Sequence, residues 1–289
     1  MQIGAHALVF TGRFDEAGIR TAITETRRAG FDLLEIPLMD PYGFDRALAA
    51  RLLAEHGIEA TASLGLTAET DLTSPDPEAR AAGEAMLGEC LDIVHAMGGA
   101  HLCGVIYSAM QKYQRPADPA GVRASAEAIH RLADRAAALG IRLSLEIVNR
   151  YETNVMNTAR AGLGFLELVD HENVSLHLDT YHMNIEESGL FEPVLDAAPR
   201  LGYVHIGESH RGYLGTGTVD FGSFFRGLSR VGYDGPVVFE SFSSAVVSAE
   251  LSNTLGIWRN LWQDSADLAA HANRFIRDSL RAVETIALH

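Results

Sequence analysis

The hydrophobic and polar positions of the chain follow two alternating patterns. Ala-rich, charged segments with a helical period are followed by short runs of four to eight β-favouring residues. Most of the helical segments end at a glycine, which accepts the left-handed backbone conformation that commonly ends a helix. The two patterns predict eight strands and eight helices in strict alternation.

The predicted strands lie at 3–10, 33–36, 58–64, 101–106, 143–146, 174–178, 203–206 and 236–239. The predicted helices lie at 18–29, 46–56, 77–97, 119–139, 158–169, 192–198, 221–231 and 266–287. Strict alternation requires parallel strands with right-handed crossovers, and eight such units close into a barrel. We therefore predict an α/β chain with a single (β/α)8 TIM barrel over residues 1–289 and a C-terminal helical extension from about residue 251. An open doubly wound sheet is the alternative, but the first strand lacks the GxGxxG turn of dinucleotide-binding folds.

Length, composition and charge narrow the class of protein. The 289 residues and the 47% hydrophobic content suit one α/β barrel with a large core. The 23 Lys and Arg against 38 Asp and Glu give a net charge of −15, which repels phosphate backbones and argues against nucleic acid as a partner. A neutral or cationic small substrate fits this charge better.

The cysteines and the apolar runs bear on cellular location. Cys90 and Cys103 have no metal-binding spacing and favour a reducing cytoplasm. The N-terminal MQIGAHALVF has the pattern of a first strand rather than of a signal peptide. No apolar run approaches the roughly 18 residues of a membrane helix, so we expect a cytoplasmic protein without a membrane partner.

Four consecutive predicted strands carry a candidate metal ligand. The acids Glu146, Asp179 and Glu240 end the fifth, sixth and eighth strands, and His205 lies within the seventh. The C-terminal ends of barrel strands form one mouth, so we expect these side chains to converge. An isolated acid after a strand is more often a helix cap, and His205 alone could be a hydrogen-bonded core histidine. Three carboxylates buried together are costly unless a cation or a proton neutralises them, which favours a metal site.

Such a site has a definite chemical character. Three carboxylates and one imidazole suit Mn²⁺, Mg²⁺ or Co²⁺ rather than an ion that prefers thiolates. An ion of this kind binds a hydroxy-ketone through adjacent oxygens and polarises its carbonyl. The neighbouring carbon then becomes acidic enough for a carboxylate base.

Four segments resemble a known family: LEIVNRYETN, HLDTYHMNIEE, YVHIGESHRGYLGTG and GPVVFESFSS. They are similar to the D-tagatose 3-epimerases and D-allulose (D-psicose) 3-epimerases, with L-ribulose 3-epimerases as close relatives. The resemblance implies a xylose-isomerase-like barrel that epimerises free ketoses at C3 through an enediolate. The substrate pairs it implies are D-allulose and D-fructose, D-tagatose and D-sorbose, and L-ribulose and L-xylulose. It also implies a homodimer or a homotetramer.

The resemblance assigns roles residue by residue. The family's metal ligands, which usually hold Mn²⁺, Co²⁺ or Mg²⁺, match Glu146, Asp179, His205 and Glu240, and we expect Mn²⁺. Glu146 and Glu240 match the catalytic pair that exchanges the C3 proton from opposite faces, as inversion through a planar enediolate requires. Glu152, His182 and Arg211 match residues that hold O1 and O2 of the ketose. Without the resemblance, Glu152 and Arg211 could be a loop ion pair, and His182 could merely lie on a turn.

Six further positions lie at or just past predicted strand ends, where they could contact the C4 to C6 end of the sugar: His6, Phe10, Ser63, Gly65, Tyr107 and Met110. Packing of the barrel mouth is the alternative for each of them. A Trp is common at the position of Phe10 in the family, so the resemblance gives no firm assignment there. We take His6, Phe10 and Tyr107 as candidate substrate contacts.

Two features test the proposed class of substrate and reaction. Gly215 and Gly217 follow the seventh strand, where barrels often bind phosphate, but Arg211 is the nearby cation and the chain is acidic. We therefore expect a tight loop and an unphosphorylated sugar.

Three other functions remain as alternatives. An aldose-ketose isomerase would need a second metal with further carboxylates, and a metal-dependent endonuclease would need a basic face. A non-catalytic sugar-binding protein would not need two apposed glutamates.

The segment 251–262, LSNTLGIWRNLW, is more apolar than a connecting loop requires. Its Trp258 could belong to a lid or to the core. Large aromatic side chains are also typical anchors of protein interfaces. We therefore expect this segment to contribute to an oligomer.

Overall fold

The computed structural model describes residues 1–286, within which eight parallel strands close into a barrel. Each strand pairs with the next in sequence order, and the eighth pairs with the first. Helices connect the strands on the outside. The prediction of a (β/α)8 barrel is confirmed.

The strands are β1 (Ile3–His6), β2 (Leu33–Pro37), β3 (Glu59–Leu66), β4 (His101–Ala109), β5 (Arg142–Ile147), β6 (Val174–Asp179), β7 (Leu201–Ile206) and β8 (Val237–Phe239). The α-helices are α1 (Glu16–Arg28), α2 (Arg46–His56), α3 (Pro77–Ala96), α4 (Pro119–Ala138), α5 (Ala159–Val169), α6 (Thr180–Glu186), α7 (Glu192–Ala197), α8 (Phe221–Val231), α9 (Ala249–Thr254) and α10 (Ser265–Ile286). Short 3-10 helices lie at Ala7–Val9, Ala68–Thr70 and Ala198–Arg200.

Local signals in the sequence fix the helix ends. The side chains of Asp76 and Asp118 cap α3 and α4, and a proline occupies the first turn of each. Gly57 and Gly232 follow α2 and α8 with φ of 63° and 64°, the left-handed conformation that glycine adopts without steric cost. These ends set the lengths of the crossovers and hence the strand register.

The structure departs from the predicted elements in three places. The first strand ends at His6 rather than at residue 10, because the His6 Nδ1 accepts the Leu8 N–H and starts a 3-10 turn. The short helices α6 and α9 are absent from the prediction. The last residue of the predicted final helix, Ala287, lies outside the described residues.

The barrel interior has an apolar floor and a polar upper layer. Leu33, Cys103, Tyr203 and Val238 form a buried cluster of their own inside the sheet. A larger core lies between the strands and the surrounding helices. None of the helices within residues 1–286 combines the length and apolarity needed to cross a membrane. The floor supports the charged side chains at the mouth.

Candidate metal centre and active site

The ends of β5 to β8 bring the four predicted metal ligands together. One ligand atom from each of Glu146, Asp179, His205 and Glu240 lies within 4.8 Å of the others, and all four residues are buried. Asp179 and His205 are direct partners in the pairing of β6 with β7. The His205 Nδ1 lies 3.6 Å from the Glu146 Oε1, 3.8 Å from the Asp179 Oδ2 and 3.5 Å from the Glu240 Oε1. The imidazole nitrogen therefore faces three carboxylates.

Glu35 on β2 orients this imidazole from the other side of the barrel. The His205 Nε2 donates to the Glu35 Oε2 at 2.7 Å, and the Tyr203 hydroxyl donates to the same oxygen at 2.8 Å. The His205 Nδ1 has no hydrogen-bond partner among the described residues. A buried ring nitrogen without a protein partner among three carboxylates fits a site for a cation, and a carboxylate behind a ligating histidine is the usual supporting arrangement.

The pKa values of the ionisable groups in the cluster are shifted in opposite directions. Burial raises the pKa of Glu240 to about 8, and Asp179 and Glu146 add to the shift while Arg211 opposes it. Burial also opposes ionisation of Asp179, but Arg211 and the nearby histidines hold its pKa below the ordinary value. The pKa of His205 lies well above its ordinary value, because Glu35 and Glu240 outweigh its burial. The raised pKa values of Glu240 and His205 thus indicate that the cluster favours added positive charge, which a divalent ion bound here would supply.

His177 lies beneath this cluster on β6. It forms a second group of potential ligands with Glu146 and His205, and its ring centroid is 4.1 Å from that of His205. Neither ring nitrogen has a hydrogen-bond partner among the described residues, and burial lowers the pKa of His177 to about 3. The ring is therefore neutral and packs edge-on below the centre.

His182 and Arg211, which the sequence assigned to the substrate, border the same centre. The His182 Nε2 lies 3.8 Å from the Glu146 Oε1 and 3.9 Å from the nearest oxygens of Glu152 and Asp179. An Arg211 Nη lies 2.6 Å from the Glu240 Oε2 and 3.3 Å from an Asp179 oxygen. A cationic donor and an imidazole thus stand beside the carboxylates.

The backbone of Arg211 is itself held in an uncommon conformation. Its φ of 58° is in the left-handed region, which costs a residue with a side chain about 1 kcal/mol or more. Its carbonyl oxygen accepts hydrogen bonds from the Ser241 hydroxyl at 2.5 Å and from the Trp262 indole at 3.2 Å. These donors hold the Arg211 main chain in this conformation, and the guanidinium stacks over the Tyr181 ring at 3.9 Å.

The pocket above the centre has a polar side and an apolar side. The polar side is formed by Glu146, Glu152, Tyr181, His182, Arg211 and Glu240. The apolar side is formed by Val105, Met110, Val148, Phe242, Leu255 and Ile257. Leu255 and Ile257 come from the predicted oligomer segment, whose Trp262 is buried and whose Trp258 is 78% exposed. Part of that segment therefore covers the pocket.

The predicted wall residues have different positions. Met110 lines the pocket, whereas Tyr107 is fully buried, donates its hydroxyl to the Glu146 main-chain oxygen at 2.8 Å and packs on Phe165. Phe10 packs in the hydrophobic core. His6 lies behind the centre, with its Nε2 3.5 Å from a Glu35 oxygen. The structure thus brings Met110 to the pocket but not Tyr107.

The glycine loop after β7 is filled by a carboxylate of the chain itself. The Glu208 side chain is fully buried and accepts the main-chain N–H groups of Ser209 at 2.8 Å, Gly215 at 2.9 Å and Val219 at 3.3 Å. These amides are the groups that would bind a phosphate at this position of a barrel. The loop is therefore a closed anion site rather than an open one.

Three buried residues of the site receive no role from the sequence, and the sequence signal differs from one to the next. Glu35 is a single charge within the apolar strand LLEIP, which is a detectable signal. Glu208 directly follows β7, but its partner amides lie up to 11 residues further along the chain. His177 occupies an inward position of β6, and no local pattern distinguishes it from an ordinary core residue. Their roles become visible once the barrel brings the strands together.

The fold and the centre define the class to which the chain belongs. A family model described as a xylose isomerase-like TIM barrel matches residues 23–278. A ketose 3-epimerase of Arthrobacter globiformis is 60% identical over 289 residues, which are 100% of both chains. An L-ribulose 3-epimerase of Methylomonas sp. (strain DH-1) is 56% identical over 96% of this chain and 97% of the relative.

A solved structure agrees with these relatives. The crystal structure of a His-tagged D-allulose 3-epimerase from Methylomonas sp. in complex with D-allulose superposes with a TM-score of 0.95. It is 55% identical and covers 96% of this chain and 97% of its own. Within the xylose isomerase-like barrels, the chain therefore belongs to the ketose 3-epimerase family of isomerases.

Proposed function

We propose that the chain interconverts free ketoses at C3 with Glu146 and Glu240 as the two proton-exchanging groups. The observation that carries the proposal is the pair of buried carboxylates from β5 and β8, which approach one centre from strands that are not neighbours. Inversion at a carbon requires proton removal on one face and delivery on the other. Relatives named ketose, L-ribulose and D-psicose 3-epimerases support this reaction.

Different residues of the chain exchange the proton and bind the sugar. One glutamate takes the C3 proton while the other returns a proton to the opposite face, and the roles reverse in the backward reaction. His182, Glu152 and Arg211 hold the O1 and O2 end of the sugar. The apolar side with Val105 and Met110 packs against the remaining carbons and limits the access of water.

A divalent metal ion is part of this proposal. Glu146, Asp179, His205 and Glu240 would hold it, and Mn²⁺ suits the oxygen-rich set, with Co²⁺ or Mg²⁺ as alternatives. When bound, the ion would polarise the C2 carbonyl and make the C3 hydrogen acidic. Removal by a chelator should abolish turnover, and Mn²⁺ or Co²⁺ should restore it better than Zn²⁺. Binding should also raise the thermal unfolding temperature by mass action.

The pocket favours an unphosphorylated ketose. Arg211 is the cation in its lining, and Glu240 and Asp179 already pair with it. Glu208 occupies the loop that would otherwise bind a phosphate. Free ketohexoses such as D-allulose and D-tagatose and ketopentoses such as L-ribulose therefore fit better than their phosphates.

Deuterium labelling tests the reaction. A panel of free ketoses would be incubated with the protein and Mn²⁺ in D₂O and followed by NMR. The proposal expects epimerisation with deuterium at C3. An aldose-ketose isomerase that shifts a hydride between C1 and C2 would leave C3 unlabelled, and a non-catalytic sugar-binding protein would give no product.

Assembly and location complete the proposal. The exposed Trp258 and Leu261 of the segment after β8 suit a contact in a homodimer or homotetramer. Light scattering at micromolar concentration tests this, and a monomer would contradict it. The free, buried Cys90 and Cys103 are compatible with the reducing cytoplasm in which we expect the enzyme to act.

A further inference from the structure

Asn149, directly behind the pocket, forms hydrogen bonds with two of the residues assigned to the substrate. It is 1% exposed. Its main-chain N–H and its side-chain Nδ2 both donate to the His182 Nδ1, at 3.1 Å and 2.8 Å. The Nδ2 also donates to the Glu152 Oε1 at 3.0 Å. One amide therefore connects the imidazole and the carboxylate.

The orientation of the Asn149 amide follows from a separate contact. Its Oδ1 accepts the main-chain N–H of Tyr151 at 2.9 Å. A main-chain N–H can only donate, so this atom must be the oxygen and the other must be the NH₂ group. The assignment of the amide thus does not depend on His182.

The two donors at the Nδ1 determine the form of His182. A nitrogen that accepts hydrogen bonds carries no proton, so the proton of the neutral ring is on the Nε2. The Nε2 is the atom that points toward the centre, with oxygens of Glu146, Glu152 and Asp179 at 3.8 to 3.9 Å. His182 therefore presents an N–H donor to the pocket.

We propose that Asn149 is a positioning residue that keeps His182 as an Nε2–H donor for a ketose oxygen and aligns Glu152 with it. This inference rests on the proposed function, which assigns His182 and Glu152 to the substrate. Asn149 is neither one of the metal ligands nor one of the residues that line the pocket, so it acts through these two lining residues.

The neighbouring ion pair supports the same arrangement. The Arg150 main-chain N–H and its guanidinium donate to the Glu186 carboxylate at 2.6 to 2.9 Å. Glu186 is in α6, the helix that carries His182. This ion pair connects the loop that contains Asn149 to the helix that contains His182. It therefore helps to keep the Asn149 amide within hydrogen-bond distance of the His182 Nδ1.

A purely structural role for Asn149 makes a different prediction. An asparagine that only stabilises the turn needs its Oδ1 on the Tyr151 N–H, which is an Asx turn. Asn149→Asp keeps the volume and this acceptor but loses both donations of the Nδ2. It also places a carboxylate oxygen beside the His182 Nδ1, and its charge outweighs the one main-chain N–H that still donates there, which draws a proton onto that nitrogen. The variant therefore separates turn formation from control of the imidazole.

The first measurement is the long-range ¹H–¹⁵N NMR spectrum of the histidine rings, with His182 assigned from the spectrum of His182→Gln. The wild-type protein should show the neutral Nε2–H form, and Asn149→Asp should show a protonated Nδ1. A protonated Nδ1 in the wild type, or an unchanged ring in the variant, would overturn the proposal. The wild-type spectrum shows which ring nitrogen of His182 carries the proton even if the variant does not fold.

The second measurement is kinetic. Asn149→Asp should lower kcat/KM for a free ketose by about 10- to 100-fold, by analogy with the loss of the hydrogen-bond partner behind a metal-ligating histidine. Asn154→Asp adds the same charge in the same loop and should stay within about twofold. Equal activity of the wild type and Asn149→Asp would contradict the positioning role. If no ketose reacts but the NMR result holds, the proposed function fails while the control of His182 by Asn149 stands.

Discussion

The two halves of the barrel mouth differ in the side chains that they contribute. β5 to β8 place carboxylates and an imidazole at the centre, with His182 in α6 and Arg211 in the loop after β7. The β4 side contributes only the apolar Val105 and Met110 to the lining, whereas Val148, Phe242, Leu255 and Ile257 complete the apolar wall from the β5 to β8 half. In the proposed function, the β5 to β8 half therefore carries the acid-base chemistry, and both halves shape the space for the sugar. We expect substitutions at Val105 or Met110 to leave the composition of the centre unchanged.

Glu35 is the exception to this division. It belongs to β2, yet its carboxylate reaches across the barrel to the His205 Nε2. The first half of the chain thus supports the centre from below without supplying a ligand. Four predictions, from the largest expected effect to the smallest, test whether the two halves are as separate as this arrangement implies.

Glu240→Gln should have the largest effect because it removes one of the two proton-exchanging groups on the chemical side. Epimerisation should fall by ~10²- to 10⁴-fold, the usual contribution of general acid-base catalysis. Glu146 can still exchange the C3 proton on one face, so NMR in D₂O should find labelled substrate and almost no epimer. Glu78→Gln, on the exposed start of α3, is the matched control. Near wild-type epimerisation by a metal-loaded Glu240→Gln protein would disprove the two-base mechanism.

Glu35→Gln tests the connection between the two halves. The amide can still accept from the His205 Nε2 but no longer stabilises the ring with a charge. Calorimetry should show Mn²⁺ affinity lowered by about 10- to 100-fold, as for other carboxylates behind ligating histidines. Glu59→Gln, exposed at the start of β3, should leave the affinity unchanged. An equal affinity in both variants would mean that β2 contributes only packing.

The pH dependence of Mn²⁺ binding tests the charge balance of the centre. The pKa of Glu240 is raised to about 8 and that of His205 lies well above its ordinary value, so both hold protons near neutral pH in the metal-free protein. Binding must release these protons, and the apparent affinity should therefore rise with pH through 6 to 8, by at most about tenfold per pH unit for each proton released. Titrations in buffers of different ionisation enthalpy count the protons. A pH-independent affinity would contradict this balance of charge.

Met110→Leu should have the smallest effect, because it nearly preserves volume on the apolar side. Volume-conserving exchanges cost less than about 1.5 kcal/mol, so the ratio of kcat/KM for a ketohexose and a ketopentose should change by less than about tenfold. Mn²⁺ affinity should not change. A loss of metal binding in this variant would show that the two halves are coupled through the wall.

The sequence predicts most of the barrel because its helical segments have clear caps and glycine ends. It also predicts that Glu146, Asp179, His205 and Glu240 converge, since they stand at equivalent ends of consecutive strands. It fails after His6, where the apolar residues Ala7–Val9 have the composition of a strand but the His6 ring caps a turn. It also misses α6, because Asp179 ends β6 and caps the helix at once, without a polar turn between them.

The wall and the supporting residues are harder to predict for a geometric reason. Whether a strand residue faces the pocket or the interior depends on register, and Tyr107 is buried although Val105, two positions earlier on the same strand, lines the pocket. Glu35 and Asn149 act through partners 170 and 33 residues away in sequence. The lone charge of Glu35 in its apolar strand can be seen in the sequence, but the partner of each residue cannot, so the sequence alone gives neither residue a role.

The carboxylate of Glu208 in the loop after β7 has a consequence for selectivity among sugars in the cell. A barrel loop with open amides attracts any small anion, and phosphorylated sugars would compete there with free ones. Here the chain supplies the anion itself, so an incoming phosphate meets a fixed negative charge and no unpaired Ser209, Gly215 or Val219 amide. We therefore expect sugar phosphates to compete poorly with free ketoses for this enzyme.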